Sequence, residues 1–250
     1  MPTSPVAVLS DIHGNRWALE AVLEDIRRRG IHDMVNLGDC LYGPLDPAGT
    51  AQILLGLDMA TVSGNEDRII LDEPGRHPDS PSLAFVRSVL QPEHVRWLER
   101  LPFTAVAFGD FLLCHGTPES DHEYLLREVT AQGCRPLSAE LVEMKLAAVR
   151  QKAVLCGHDH LPEWLRLPGG RHVIDPGSVG LPAYRDDQPF PHAMEAGSPH
   201  ARYSVVTTGG PEDVKVLNVA VAYDWKAAAR AAERNGRPDW ADYLATGRAS

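Results

Sequence analysis

The chain has 250 residues, 44% of them apolar and 23% charged, with a formal net charge of −10. That composition excludes a disordered, fibrous or disulfide-built protein, and the length suits one sizeable core, so a single domain over 1–250 is expected. No apolar run reaches the ~20 residues of a membrane helix, and an acidic surface repels duplex nucleic acid, so neither partner is expected.

Residues 1–5 lack the basic and apolar pattern of a secretion signal, which points to a cytoplasmic protein. Cys40, Cys114, Cys134 and Cys156 show no C-x-x-C spacing and read as reduced, mostly buried thiols.

Val6–Leu9 is an apolar run ending at Ser10-Asp11, the pattern of a buried strand. A helix comes next, with Ala18, Leu19, Val22, Leu23 and Ile26 on one face and Arg27–Arg29 at its end. Met34–Leu37 is the second strand, Ala48–Leu55 a helix, and Met59–Val62 the third strand. This strand–helix repeat predicts parallel strands in an α/β fold. Asp72–Pro81 reads as an exposed loop, and Leu83–Leu90 and Glu93–Arg100 as short helices. Thr104–Phe108 and Phe111–Cys114 form a hairpin about Gly109-Asp110. Ser138 caps a helix running to about Arg150, and Ala153–Cys156 is another strand. Trp164–Leu167 and His172–Ile174 form a second hairpin, and residues 185–200 a Pro-, Asp- and His-rich loop. Tyr203–Thr207 and Val214–Ala222 are late strands; Lys226–Asn235 and Trp240–Leu244 are C-terminal helices.

The informative residues lie just beyond the strands. In order come Asp11-Ile12-His13, Gly38-Asp39, Gly64-Asn65, His115-Gly116 and Gly157-His158-Asp159-His160. The carboxyl ends of parallel strands face one crevice, so groups far apart in sequence can converge there. Four imidazoles, two carboxylates and an amide make an N/O donor set without thiolate, suited to two divalent ions. Manganese is the first expectation; iron, zinc, cobalt and nickel also fit. Asp39 has two oxygens and is the candidate bridge between the ions.

The ordered set D-x-H, G-D, G-N-x-D, H-G, G-H-x-H resembles the calcineurin-like metallophosphoesterase superfamily. Within it the chain is most similar to small bacterial and archaeal phosphodiesterases, including diadenosine-tetraphosphatase-like proteins. Asp175-Pro176-Gly177-Ser178-Val179-Gly180 resembles that subgroup's stretch after the last metal motif, and the likeness covers about residues 5–207. The resemblance implies a two-sheet β-sandwich flanked by helices (an α+β arrangement), with strand and helices over 214–246 as a tail. It implies that Asp11, His13 and His160 hold one metal, that Asn65, His115 and His158 hold the other, and that Asp39 bridges. It further implies attack by a metal-bridging hydroxide on a small phosphorylated substrate, a nucleotide or phosphodiester, with Asn65, Asp39, Glu66 and Asp67 as the catalytic group. Many members read G-N-H-[DE], and that His serves as the acid for the leaving group. Here Glu66 stands in its place, which suits diesters or phosphoanhydrides and leaves the acid unassigned.

Asn15 and Gly116 can place amides on a substrate phosphate, and Arg185 can pair with one; their plainer roles are turn geometry and a solvated charge. His77 and His192 are loop histidines within reach of substrate or of nothing. The Ala-rich stretch Ala227–Ala232 packs a helix or a subunit contact, so a homo-oligomer stays open. A phosphomonoesterase and a non-catalytic scaffold of the same fold are the rival functions; the complete donor set argues against the scaffold.

Overall fold

Every residue of β1 (Val6–Leu9) is buried because its two faces serve two different cores. Val6 and Val8 point into the seam between two sheets, whereas Ala7 and Leu9 pack beneath helices. The computed structural model that shows this describes residues 4–73, 75–77, 80–210 and 213–249.

The chain opens with parallel strand–helix units. These are β1, α1 (Arg16–Arg28), β2 (Asp33–Asn36), α2 (Pro47–Leu55) and β3 (Ala60–Thr61), with β1, β2 and β3 parallel. Then come α3 (Asn65–Leu71), α4 (Pro81–Val89) and α5 (Pro92–Leu98). The second sheet begins with β4 (Ala105–Ala107) and β5 (Phe111–Leu113). A hairpin, β6 (Arg127–Thr130) and β7 (Gly133–Pro136), and α6 (Ala139–Lys145) intervene before β8 (Ala153–Leu155), β9 (Glu163–Arg166) and β10 (His172–Asp175). A further hairpin, β11 (Ala183–Asp186) and β12 (His192–Glu195), precedes β13 (Ala201–Gly210) and β14 (Asp213–Val221). The chain then forms α7 (Trp225–Arg234) and α8 (Pro238–Thr246).

The first sheet has the order β14-β13-β1-β2-β3 and the second β4-β5-β8-β10-β9. Their inner faces meet through Val8, Leu37, Phe111, Leu113, Leu155 and Ile174. Helices α1, α2, α4 and α5 cover the outside of the first sheet, and α6 covers the second. Among the described residues no helix is long and apolar enough to cross a membrane.

The expected two-sheet sandwich with flanking helices is therefore what forms, with local differences. The first hairpin turns on Phe108, Gly109 and Asp110, a three-residue loop in which Phe108 and Gly109 both have positive φ. Ser138 caps α6 as expected, but α6 stops at Lys145. Residues 185–200 are not a plain loop, because β11 and β12 pair there. The β6–β7 hairpin is absent from the expected elements: its strands are half-buried at most, so no apolar run marks them. Pro74, Pro78 and Asp79 of the expected 72–81 loop lie outside the described residues.

Gly180 joins the segment after β10 of the second sheet to the segment after β1 of the first. Its N–H donates to the Asp11 carbonyl at 2.9 Å, and a Cβ there would meet the Ile12 carbonyl oxygen at 1.8 Å. Gly180→Ala should cost about 3 kcal/mol through overpacking, lowering Tm by roughly 5–10 °C. Gly170→Ala, where only the φ of +84° opposes a side chain, should cost about half as much. Thermal melts of both variants check this; equal losses would mean the close approach does not matter.

Candidate metal centre

The donors expected at strand ends do converge. Asp11, His13 and His160 present ligand atoms within 4.8 Å of one another, as do Asp39, His115 and His158. A third such group, His13, Asp39 and Glu66, joins the two.

The backbone is bent to achieve this. Asp11, His13, Asp39, His158 and His160 all have φ between +51° and +74°, the left-handed region that L-residues avoid at roughly 1–2 kcal/mol each. Hydrogen bonds between loops hold these conformations. Asp11 N–H donates to the Gly38 carbonyl (3.0 Å), His13 N–H to the Asp39 carbonyl (2.9 Å) and Gly157 N–H to the His115 carbonyl (2.7 Å). His158 N–H donates to the Asp11 carboxylate at 3.2 Å.

The arrangement calls for cations. A carbonyl oxygen only accepts, so the ring nitrogens facing carbonyls carry the protons. His160 Nδ1 donates to the Leu181 carbonyl (2.7 Å) and His13 Nδ1 to that of Tyr42 (3.1 Å). Their Nε2 atoms are then bare, yet they face each other at 3.1 Å. His115 repeats the pattern: Nδ1 donates to the Leu37 carbonyl (2.8 Å), while Nε2 faces Asn65 Oδ1 (3.0 Å) and Asp39 Oδ2 (3.3 Å). His158 donates Nε2–H to the His122 carbonyl, which frees Nδ1. Asp11 Oδ1 is buried without a hydrogen-bond partner, 3.3 Å from His160 Nε2. Lone pairs aimed at lone pairs in a buried N/O cluster fit divalent ions.

Protons are the least cations that can fill such gaps, and the titration of the site reflects that. Burial opposes charge on His13, but its hydrogen bond to Glu66 and the nearby carboxylates push it up to about 9. Burial likewise opposes His115, and Asp39 lifts it to about 10. Burial would raise Asp39, yet His115 holds it down at about 2, and Asp11 lies lower still through His160. His158 falls to about 3 through burial and the charge of His115.

The remaining candidates have diverse placements. Glu66 lies 3.1 Å from His13 Nδ1, and burial raises its carboxyl to about 7. Asp67 faces away from the donors: it accepts from Cys40 N–H (2.9 Å) and Gly64 N–H (3.1 Å), bracing the loops that carry Asp39 and Asn65. The Asp67 carboxylate, expected in the catalytic group, is thus spent on main-chain N–H groups. Asn15 is likewise committed, because its Oδ1 caps α1 at Ala18 and its amide donates to the Gly180 carbonyl and Tyr223. No group of that side chain is left for a phosphate. Gly116 serves a turn, since a Cβ would meet the Glu123 and Ser120 carbonyls. Arg185 lines the cleft, with its Nε–H donating to the Ala249 carbonyl. His77 pairs with Asp72, and His192 is buried against Tyr124.

Several neighbours of the donors carry no sequence signal. A cleft of about 300 Å³ over the donors is walled by Tyr42, Tyr184, Arg237, Trp240 and Tyr243. Trp240 of α8 meets His13 edge-on at 5.8 Å. Behind the site, Arg127 Nε lies 2.9 Å from Asp159, and buried Asp175 stands close by with Oδ2 unpartnered. Burial and the negative charge of Asp159 push Asp175 well above the carboxylate range.

A family model for the calcineurin-like phosphoesterase superfamily domain matches residues 5–194. An uncharacterized protein of Methanocaldococcus jannaschii is 26% identical over 263 aligned positions, covering 96% of each chain. The crystal structure of a metallophosphoesterase from Sphaerobacter thermophilus shares 25% identity, with a TM-score of 0.75 over 99% of this chain and all of the other. That of a hypothetical protein from Pyrococcus horikoshii OT3 shares 21% identity and the same fold, with a TM-score of 0.72 over 99% of this chain and 100% of that one.

A raised folded-state pKa makes a carboxyl cost stability as pH climbs from its unfolded value toward its folded one. Asp175→Asn should therefore raise Tm relative to wild type at pH 8 and do so less at pH 5; the reverse order would refute a protonated Asp175. Mn²⁺ added to chelator-treated protein at about 100 times its Kd should contribute ~2.7 kcal/mol, or roughly 5–10 °C in Tm. Asp11→Ala should lose most of that gain, and an unchanged gain would remove Asp11 from the ligand set.

Proposed function

The chain belongs to the calcineurin-like phosphoesterase superfamily, and from that premise we propose that it is a dinuclear metal-dependent hydrolase of phosphodiester or nucleotide phosphoanhydride bonds. One observation carries the proposal: bare imidazole and carboxylate lone pairs face one another at the floor of an open cleft. When bound there, two divalent ions supply charge for the phosphoryl oxygens and a water of lowered pKa as nucleophile.

The chain's own groups do the rest. Asp39 belongs to both the His115–His158 group and the His13–Glu66 group, the position a bridging carboxylate needs. Asn65 sets its carboxamide beside His115 at the cleft wall, where it can orient a phosphoryl oxygen. Attack forms one P–O bond as the opposite P–O bond breaks, and the leaving oxygen needs a proton unless it is a stable anion. Glu66 lines the cleft and is our candidate to deliver that proton. Arg237 is fixed by Asp239 and closes the far side, next to Trp240.

Asp39→Ala and His158→Ala should each reduce turnover of bis(p-nitrophenyl) phosphate more than about 100-fold, beyond what loss of an outer-shell partner costs. Full activity in either purified variant would refute the assignment. With Mn²⁺ supplied, the wild type should prefer that diester over p-nitrophenyl phosphate; a strong monoester preference would favour the phosphomonoesterase instead.

A further inference from the structure

A second cavity, about 520 Å³, opens on the other side of the same donors, and the hydrolytic step itself makes no use of it. It shares Asn65 and His158 with the cleft, so both spaces meet where a phosphoryl group would sit. Its walls come from the β6–β7 hairpin, the residues flanking it and the turn between β11 and β12: Tyr124, Val129, Leu137 and Pro189 are the apolar and aromatic contributors. Tyr124 stacks on His158 with ring centroids 4.7 Å apart and planes 28° apart, which fixes the boundary between cavity and metal centre.

Arg127, Lys145 and Glu128, which line this cavity, each face an opposite charge. Lys145 lies 3.7 Å from Glu123, Arg127 is held by Asp159 and Glu163, and Glu128 is held by Arg135. Asp186 adds a carboxylate to the rim. Among the described residues such a space has each Lys and Arg beside a carboxylate, so it suits a flat, neutral organic group better than a second phosphate. Glu66 and Arg237 line only the first cleft, so the leaving group departs on that side. We propose that the second cavity is the subsite for the retained substituent of a phosphodiester, a nucleoside or similar aromatic group. This rests on the phosphodiesterase reading and adds where the uncleaved half of the substrate lies.

Two diesters with one leaving group provide the test: thymidine 5′-(p-nitrophenyl phosphate) and methyl p-nitrophenyl phosphate. The wild type should favour the thymidine ester in kcat/KM. Val129→Trp, which fills the cavity, should reduce that preference at least tenfold, and Leu137→Ala, which widens it, should also change it. Variants that melt like the wild type but keep its preference would overturn the subsite. If the wild type hydrolyses neither ester, the catalytic reading fails, and calorimetry with Mn²⁺ present judges the subsite alone. Thymidine 5′-monophosphate should then bind at least tenfold tighter than methyl phosphate, with Val129→Trp erasing the difference; equal binding of the two by the wild type overturns the proposal.

Discussion

Two nitrogen lone pairs 3.1 Å apart repel unless a cation lies between them, and this protein builds a molecule around that repulsion. His13 and His160 come from the two different sheets, one after β1 and one after β8. Each is turned toward the other by a proton committed to a main-chain carbonyl. The left-handed backbone at both residues adds to the cost. Such a cluster persists only because the surrounding structure determines it more strongly than it resists. The sandwich supplies that determination, with Val8, Leu37, Leu113 and Leu155 buried completely just below the loops.

Bracing residues form a second layer. Asp67 ties together the loops after β2 and β3, and Ser178 donates to the Asp11 carbonyl at 2.8 Å. Asn15 caps α1 while gripping Gly180. These side chains are polar, buried and spent on the main chain, which explains why motif reading takes them for participants. Asp67 and Asn15 sit within two residues of a donor in sequence, but their hydrogen bonds point elsewhere.

The sandwich and the donors are legible in the sequence for one reason: each donor comes after a short apolar strand, and strand ends have a geometric meaning. Val6–Leu9 before Asp11 and Ala153–Leu155 before His158 are local signals. The cleft walls are illegible because nothing local marks them. Trp240 and Arg237 lie in an ordinary helical pattern, and only packing of α8 near β11 brings them to His13. Tyr124 and Tyr184 meet across 2.7 Å although sixty positions separate them. The β6–β7 hairpin carries Arg127, partner of Asp159, yet its alternation is too weak to declare a strand. Glu66 shows a further limit: its position in the motif is plain, whereas its place in the cleft wall and contact with His13 need three dimensions.

The placement of Trp240 against His13, and of Leu181 against His160, has a consequence for biosynthesis. β1 lies in the middle of its sheet and pairs with β13, so the earliest strand made must wait for one of the last. A nascent chain still missing its final stretch holds Asp11 and His13 but lacks the walls that enclose them. Contacts this distant in sequence form slowly, after much loop-closure entropy has been overcome. The ring of donors and the walls around it are therefore complete only once the last strands and helices have been made.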